Sequence, residues 1–221
     1  MNFSTLFFDL DDTLYPSTNG LWQAIKARMS LYMLEKLHLP EAEIPELRQK
    51  YYQRYGTTLR GLQRHHQVEA ADFLAYVHDL PLERYLIPDP EVRALLSSLH
   101  QNKWIFTNAD ENHARRVLGR LELADCFQGI IDLRALDYLC KPEEEAYRVA
   151  MRIAGESDPR RCVLLDDSPR NLRPAREIGF TTVLIGENPD DSSADYTISS
   201  LKYLPETMPD LWKIPANPGE R

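Results

Sequence analysis

Polar residues follow three short apolar runs of the chain, at the point where each run ends. Asp9-Leu10-Asp11-Asp12-Thr13, Thr107-Asn108 and Asp166-Asp167-Ser168 are the three polar segments. Parallel strands bring such carboxyl ends to one edge of a sheet. Several carboxylates gathered at one edge repel one another unless a cation lies among them. The four carboxylates expected there are Asp9, Asp11, Asp166 and Asp167.

These residues supply the groups that phosphoryl transfer requires. Oxygen ligands beside a phosphate are an environment that suits Mg²⁺. A carboxylate can attack phosphorus and form an acyl-phosphate, which divides one difficult displacement into two easier ones. The Thr107 hydroxyl and the Lys141 ammonium can donate to the transferred group, and an acid two residues after the nucleophile can protonate the leaving oxygen. The set therefore indicates phosphate-ester chemistry with Mg²⁺ as cofactor.

An alternation of strands and helices positions these residues. After Tyr85, short apolar strands alternate with helices, and Asp89-Pro90 and Ser168-Pro169 are typical helix starts. This alternation is typical of a parallel sheet covered by helices on both faces. We therefore predict an α/β fold with a three-layer, Rossmann-like parallel sheet. The predicted strands cover Leu6–Leu10, Trp104–Thr107, Gly129–Leu133, Cys162–Asp166 and Thr181–Ile185.

The stretch from Pro16 to Tyr85 lacks any strand pattern and interrupts the sheet directly after its first strand. Leu21, Ile25 and Met29 recur at the spacing of one helical face. We predict that residues 16–85 form an all-helical cap inserted into a core of residues 1–15 and 86–204. Residues 205–221 are rich in proline and polar side chains, and we expect them to form a tail on the surface.

The segments resemble the four motifs of the haloacid dehalogenase (HAD) superfamily. Residues 8–16, Phe-Asp-Leu-Asp-Asp-Thr-Leu-Tyr-Pro, resemble motif I, and Phe106-Thr107-Asn108 resembles motif II. Lys141-Pro142 is similar to motif III and Asp166-Asp167-Ser168 to motif IV. Their order and spacing agree with the family over nearly the whole chain. The helical insert resembles the cap of subfamily I.

The resemblance implies a role for each motif residue. Asp9 corresponds to the nucleophile and Asp11 to the general acid/base. The metal would be held by the Asp9 carboxylate, the main-chain carbonyl of Asp11 and a motif IV acid. Asp167 is favoured as the direct ligand, with Asp166 second or through water. The residues that would bind the phosphoryl group are Thr107, Asn108 and Lys141.

Three segments are similar to the pyrimidine 5′-nucleotidase group of this superfamily: residues 9–16, Tyr55–Leu62 of the cap and Asn108–His113. The leading small-molecule substrate is therefore a nucleoside 5′-monophosphate, with a pyrimidine base favoured. A sugar phosphate or phosphoglycolate is the alternative phosphate monoester. The cap residues expected near the ligand are Tyr55, Thr57, Thr58 and Arg60.

Asp11 helps to distinguish a phosphatase from the other activities that similar folds have. Family dehalogenases do not keep an acid two residues after the nucleophile, because a halide leaves without a proton, so Asp11 favours a phosphatase. A receiver-like phospho-acceptor also places an aspartate near Mg²⁺, threonine and lysine, but the cap and Asp11 both oppose it. A HAD fold that has lost activity and serves as a binding protein is disfavoured by the four intact motifs.

The charge of the chain and its cysteines limit the partners. A net charge of −8 provides no basic face for a nucleic-acid polymer. No apolar run approaches the roughly 20 residues that a bilayer span requires, and no secretory leader is visible at the first residues. Cys126, Cys140 and Cys162 are far apart, which indicates reduced thiols. We therefore expect a cytoplasmic enzyme that works as a monomer or homodimer without a membrane.

Four further polar residues were considered for a functional role, and the sequence supports each of them less strongly than the motif residues. His113 is expected in the first turn of its helix, with an indirect role favoured over a catalytic one. Asn171 is a candidate for positioning Lys141 or Asp166. His65 and His66 are unsuited to bind one metal together, because adjacent helical residues point about 100° apart.

Overall fold

The first strand is apolar on both faces, so the fold must cover it from both sides. The computed structural model describes residues 2–186 and 193–213. In β1 (Thr5–Phe8), Leu6 and Phe8 pack into one hydrophobic cluster and Phe7 into another, and all three side chains are fully buried. A strand buried on both faces is typical of the centre of a parallel sheet.

The sheet has five further strands, all parallel to their neighbours. They are β2 (Asn102–Phe106), β3 (Gly129–Ile131), β4 (Cys162–Asp166), β5 (Thr181–Ile185) and β6 (Tyr196–Ile198). The order across the sheet is β3-β2-β1-β4-β5-β6, which places β1 between β2 and β4. This confirms the predicted α/β fold. The edge strand β6 was not predicted from the sequence.

Helices cover both faces of this sheet and fill the insert. The insert contains α1 (Leu21–Glu35), α2 (Ile44–Tyr55), α3 (Thr58–His66) and α4 (Ala70–His78). The later helices are α5 (Pro90–Ser98), α6 (Glu111–Leu121), α7 (Glu144–Ile153), α8 (Pro169–Glu177) and α9 (Leu204–Thr207). Residues of α5, α6 and α9 pack with Leu6 and Phe8, whereas residues of α7 and α8 pack with Phe7.

Aspartate side chains start two of these helices. The Asp89 carboxylate accepts hydrogen bonds from the main-chain N–H groups of Glu91 and Val92, and the Asp110 carboxylate accepts one from that of His113. These bonds satisfy donors that have no partner within the helix. Each cap fixes where its helix leaves the sheet edge, so Asp110 determines where the first turn of α6 lies.

The helical insert, α1–α4, has its own hydrophobic cluster. Met33, Leu62 and Val77 are fully buried in it. Leu133 and Cys140, which come from the loops after β3, belong to the same cluster. The insert therefore packs directly on the segment that carries Lys141. The limits of the cap at residues 16 and 85 stay a prediction.

The C-terminal segment departs from the expected surface tail. Residues 205–207 continue α9, and Pro209–Trp212 form a 3₁₀ helix. Met208 and Leu211 are buried in the same cluster as Leu6. Their apolar spacing, rather than the surrounding prolines, determines where this segment packs. Residues 214–221 lie outside the described residues.

None of the helices in the described part of the chain is both long and apolar enough to cross a bilayer.

Two helical glycines allow the packing of the insert to be tested. A Cβ at Gly61 of α3 would lie 2.2 Å from Cγ of the buried Tyr51, whereas a Cβ at Gly119 of α6 would meet no described atom of a neighbouring element within 4 Å. We expect Gly61→Ala to lower the free energy of unfolding by about 1–3 kcal/mol through overpacking. Gly119→Ala should raise it by about 0.5–1 kcal/mol, because alanine loses less backbone entropy. Urea unfolding followed by circular dichroism measures both, and effects of the same sign would contradict the packing.

Candidate active site

The carboxyl ends of β1, β2 and β4 meet at one edge of the sheet. The register places Phe8 opposite Leu165, and the Asp9 main-chain N–H donates to the Leu165 carbonyl at 2.9 Å. Asp9 and Asp166 therefore leave the sheet side by side. The neighbouring strand β2 brings Thr107 to the same edge, where its hydroxyl accepts a hydrogen bond from the Ala109 N–H at 3.0 Å.

The Lys141 ammonium lies between two carboxylates at this edge. Its Nζ donates to Asp9 Oδ1 at 2.8 Å and to Asp166 Oδ2 at 2.6 Å. The Lys141 and Asp166 side chains are 1% and 0% exposed, and that of Asp9 is 12% exposed. A buried charge of this kind requires close, hydrogen-bonded partners. The two carboxylates accordingly raise the pKa of Lys141, against the opposing effect of burial, so the ammonium stays charged.

The Asn108 side chain holds the main chain of Lys141. Asn108 Nδ2 donates to the Lys141 carbonyl, and Asn108 Oδ1 accepts from the Lys141 N–H, each at 2.9 Å. Its carbonyl and one N–H are thereby committed to the loop that carries the lysine. Asn108 also lines the cavity above the sheet edge, and its expected contact with the phosphoryl group stays a prediction. Asn108 thus fixes the main-chain position from which the Lys141 side chain extends.

Asp166 and Asp167 have different surroundings despite being adjacent. Asp166 accepts hydrogen bonds from Asn171 Nδ2 at 2.9 Å and from the Ser168 N–H at 2.9 Å, in addition to that from Lys141. Asn171 therefore positions Asp166, one of the two options that the sequence left open. Asp167 lines the cavity above the sheet edge. Of the two, Asp167 is the carboxylate more available to a ligand.

Three carboxylates face the single ammonium of Lys141, and this arrangement could hold a metal ion. One carboxylate oxygen from each of Asp9, Asp166 and Asp167 lies within 4.8 Å of the other two. Burial and the neighbouring Asp166 raise the pKa of Asp9 to about 7, although Lys141 opposes this. Burial, Asp166 and Asp9 raise the pKa of Asp167 to about 8. Burial is the largest cause of both shifts, and the neighbouring carboxylates add to it. Oxygen donors of this kind fit a hard divalent cation.

Asp11 is held apart from that cluster by a different set of partners. Asp11 Oδ1 accepts hydrogen bonds from the Tyr15 hydroxyl at 2.5 Å and from His113 Nε2 at 2.9 Å. Burial raises the pKa of Asp11, but the His113 charge and these two hydrogen bonds outweigh it and hold the pKa at about 2. Asp11 is therefore ionised, whereas Asp9 and Asp167, which line the same cavity, bind protons more readily.

A cavity of about 540 Å³ lies between the sheet edge and the insert. Its floor contains Asp9, Asp11, Thr107, Lys141 and Asp167. Its wall on the insert side includes Trp22, Lys26, Met29, Arg48, Thr57, Thr58 and Phe73. A groove of about 780 Å³ elsewhere, beside residues 15–19 and 85–90, is larger, but Asp9 and Lys141 do not line it. The smaller cavity contains the reactive groups and is the candidate active site.

The expected cap residues divide into two pairs. Thr57 and Thr58 line the cavity, as predicted. Tyr55 and Arg60 are not among the described residues that line it. The Arg60 guanidinium pairs with Glu143, and the Tyr55 hydroxyl lies 2.8 Å from His65 Nε2. Their expected contact with substrate is therefore not supported, because the Arg60 guanidinium is engaged by the loop that carries Lys141 and the Tyr55 hydroxyl by His65.

The residues at the site that were not assigned from the sequence include Tyr15, His78 and Arg48. Tyr15 lies within motif I, and its spacing of four from Asp11 was a usable signal. His78 and Arg48 had none, since only the packing of α4 and α2 brings them to the cavity. Arg48 NH1 donates to Ser30 Oγ at 2.9 Å, and its buried Nε has no hydrogen-bond partner among the described residues.

Comparison with known proteins supports this reading of the sequence. The family described as haloacid dehalogenase-like hydrolase matches residues 3–179. Phosphate metabolism protein 8 of Saccharomyces cerevisiae is 31% identical over 192 residues, covering 80% of this chain. The match covers 60% of that yeast protein, so the chain spans less than two thirds of the length of this relative.

Solved structures of low sequence identity share the fold. A HAD phosphatase from Thermococcus onnurineus has a TM-score of 0.63 at 22% identity, over 92% of this chain and 96% of that chain. The magnesium-bound HAD hydrolase YfnB of Bacillus subtilis has a TM-score of 0.63 at 17% identity, over 97% and 100%. A 2-haloacid dehalogenase from Pseudomonas syringae has a TM-score of 0.59 at 22% identity, over 92% and 97%.

The raised pKa values of Asp9 and Asp167 make stability depend on pH in a defined direction. Both lie above the ordinary value of 3.8, so the folded chain binds protons more tightly than the unfolded chain. Metal-free protein should therefore lose thermal stability as pH rises from about 4 towards 8. A divalent cation should restore stability, and more strongly at about pH 8 than at about pH 5, because protons compete with it.

Thermal unfolding in chelator and in added cation measures this effect. Asp167→Asn should flatten the pH dependence and weaken the response to the cation. Asp125→Asn is the matched control, since Asp125 forms an exposed pair with Arg93 far from the cavity. Equal stabilisation by the cation at both pH values, in wild type and in Asp167→Asn alike, would contradict the site.

Proposed function

The chain belongs to the haloacid dehalogenase-like hydrolase family, and we propose that it hydrolyses phosphate monoesters through an aspartyl-phosphate on Asp9, with a nucleoside 5′-monophosphate as substrate. The observation that carries this proposal is the buried Lys141 ammonium between Asp9 and Asp166, on the floor of a cavity that Asp11 also lines. In this proposal Asp9 is the nucleophile, Lys141 the cationic donor and Asp11 the proton-transfer group.

The first half-reaction transfers the phosphoryl group to the protein. An oxygen of Asp9 forms the new bond to phosphorus, and the bond between phosphorus and the ester oxygen of the substrate breaks. Lys141 and the Thr107 hydroxyl donate to the phosphoryl oxygens, where negative charge accumulates. Asp11 delivers a proton to the leaving alkoxide. An approaching dianion raises the pKa of a nearby carboxyl, which favours the protonated form of Asp11 at this stage.

The second half-reaction returns Asp9 to its free form. Asp11 accepts a proton from water, and the resulting hydroxide attacks phosphorus, so the acyl-phosphate bond breaks and inorganic phosphate leaves. The low pKa of Asp11, about 2 in the free chain, keeps its carboxylate unprotonated and therefore able to accept this proton. The helical insert shields the acyl-phosphate from bulk water during this cycle.

Mg²⁺ is the cation that we propose for the acidic cluster. The Asp9 and Asp167 carboxylates and the main-chain carbonyl of Asp11 would hold it, with Asp166 through water, since Asp166 already accepts from Lys141 and Asn171. Bound there, Mg²⁺ neutralises the crowded acids and the incoming phosphate, which allows an anionic nucleophile and an anionic substrate to approach each other.

Phosphatase chemistry is favoured over dehalogenation although dehalogenases share the fold. A halide leaves without a proton, so a dehalogenase has no use for a proton-transfer group beside the nucleophile. Here Asp11 lines the cavity and accepts two hydrogen bonds that orient it. The same group would shorten the lifetime of the acyl-phosphate, which opposes the receiver-like alternative.

The residues of the insert that line the cavity favour a nucleotide as the substrate. Trp22, Met29 and Phe73 provide flat or apolar surface for a base and a ribose. Arg48 adds a donor, because its buried Nε has no hydrogen-bond partner in the described part of the chain. An oxygen acceptor on the leaving group, such as a pyrimidine carbonyl, would satisfy this donor.

The roles of the two aspartates can be separated by amide substitutions. Asp9→Asn should abolish turnover, because an amide does not attack phosphorus. Asp11→Asn should lower kcat by about 10²- to 10⁴-fold, the usual contribution of a general acid/base. Phosphate release from phenyl phosphate and from nucleoside monophosphates, with and without Mg²⁺, measures both. Asp125→Asn is the control, and wild-type rates in either active-site variant would refute the assigned roles.

The substrate assignment predicts a selective effect at Arg48. Arg48→Met should lower kcat/KM for nucleoside 5′-monophosphates by about 10- to 100-fold, since it removes a charged hydrogen bond to the leaving group. Phenyl phosphate has no acceptor on its leaving group, so its kcat/KM should change little. Lys50→Met is the matched control, because Lys50 is exposed on the same helix. An equal loss with every substrate, or a wild-type preference for sugar phosphates, would count against a nucleotide.

A further inference from the structure

The Asp11 carboxylate is held through only one of its oxygens. Tyr15 and His113 both donate to Oδ1, at 2.5 and 2.9 Å, and Oδ2 accepts no hydrogen bond from the described residues. Two donors on the same oxygen fix the rotation of the carboxylate while leaving the other oxygen available. Asp11 lines the cavity, so its orientation there determines whether it can reach a leaving group or a water.

His113 is unusually dependent on its neighbours for its own orientation. It is the third residue of α6, and its side chain is 0% exposed. Its Nδ1 is buried and has no hydrogen-bond partner among the described residues. The ring is therefore held by the bond from Nε2 to Asp11 and by the side chain packed against its face.

The side chain on that face is His78, the last residue of α4 in the insert. The two imidazole rings are stacked, with centroids 4.0 Å apart and an angle of 17° between their planes. His78 Nδ1 lies 3.3 Å from Asp110 Oδ2, while Asp110 Oδ1 accepts from the His113 N–H at 2.7 Å. Burial and the neighbouring His113 lower the pKa of His78, which avoids two stacked cations.

Arg116 fixes the end of α4 above this stack. Its guanidinium donates to the carbonyls of His78 and Leu80, each at 2.7 Å. Asp110, His113 and Arg116 all belong to α6 or its cap, so one helix of the core receives the end of the insert. Movement of α4 away from α6 would remove His78 from the face of the His113 ring.

We propose that His113 is a positioning residue for Asp11 and that His78 makes this positioning depend on how the insert is seated. The proposal rests on the proposed function, since Asp11 matters only if it transfers protons. It assigns the stack an indirect role: His113 orients Asp11 through a hydrogen bond, and His78, which also lines the cavity, orients His113 through the stacked ring. When α4 packs on α6, His78 is brought against the His113 ring, and the same packing therefore orients the Asp11 carboxylate.

Substitutions at His113 test the positioning in steady-state kinetics. His113→Leu should lower kcat by about 10- to 100-fold with little change in KM, because a misplaced acid/base group affects the chemical steps. His113→Gln keeps an N–H donor near the position of Nε2 and should recover much of the rate. In an Asp11→Asn background, His113→Leu should have no further effect, since its target is gone. The exposed His100→Leu is the control for loss of a histidine.

Substitutions at His78 test the connection to the insert. His78→Ala should lower kcat by about three- to tenfold, the size expected for an indirect coupling, and His78→Phe should retain most activity because it preserves a stacked ring.

Two kinetic results would overturn the proposal. One is a His113→Leu effect of equal size with Asp11 and with Asn at position 11, which indicates a structural role. The other is a kcat unchanged by His113→Leu.

A crystal structure of His113→Leu provides a readout that does not depend on activity. The Asp11 carboxylate should leave its place beside the Tyr15 hydroxyl, and an unmoved carboxylate would refute the proposal. If the wild-type protein releases no phosphate from any ester tested, the proposed function fails. This structure then still decides whether His113 holds Asp11.

Discussion

Excess negative charge at the ends of β1 and β4 is the constraint on which the rest of this site depends. Three carboxylates converge there because the strand register requires it, and Lys141 is the ammonium in contact with two of them. The surrounding hydrogen bonds hold these charged groups in place. Asn108 anchors the main chain of Lys141, and Asn171 orients Asp166. What remains uncompensated is concentrated near Asp9 and Asp167, the position where a cation and a phosphate would meet.

The insert packs on the same short loops that carry the residues of the candidate active site. A Cβ at Gly56 would lie 2.7 Å from Cys140 Sγ and 3.2 Å from the Lys141 carbonyl, so only glycine allows this approach at its positive φ. Arg170, two residues after Ser168, donates to the carbonyls of Tyr52 and Gln53 at the end of α2. A change in how the insert sits would therefore reach the loops that follow β3 and β4, and not only the cavity wall.

The sequence predicted those parts of the site that depend on local pattern. Asp9 and Asp166 follow apolar strands, and the parallel arrangement brings such residues together whatever the rest of the chain does. His78, Arg48 and Arg60 depend instead on how insert helices pack on one another and on the core, which no local spacing encodes. Arg60 was expected at the ligand, but its partner Glu143 lies more than eighty residues away. The burial of Met208 was missed because prolines obscured its apolar spacing.

Chemical trapping of the intermediate tests the central claim most directly. Asp11→Asn protein can be mixed with substrate and Mg²⁺, quenched in acid and digested for peptide mass spectrometry. We predict one phosphoryl group on the peptide that contains Asp9, lost on hydroxylamine treatment as expected of an acyl-phosphate and absent when Asp9 is also replaced by asparagine. Continued phosphate release with no covalent phosphate on the protein, or phosphate attached to another residue, would contradict the account.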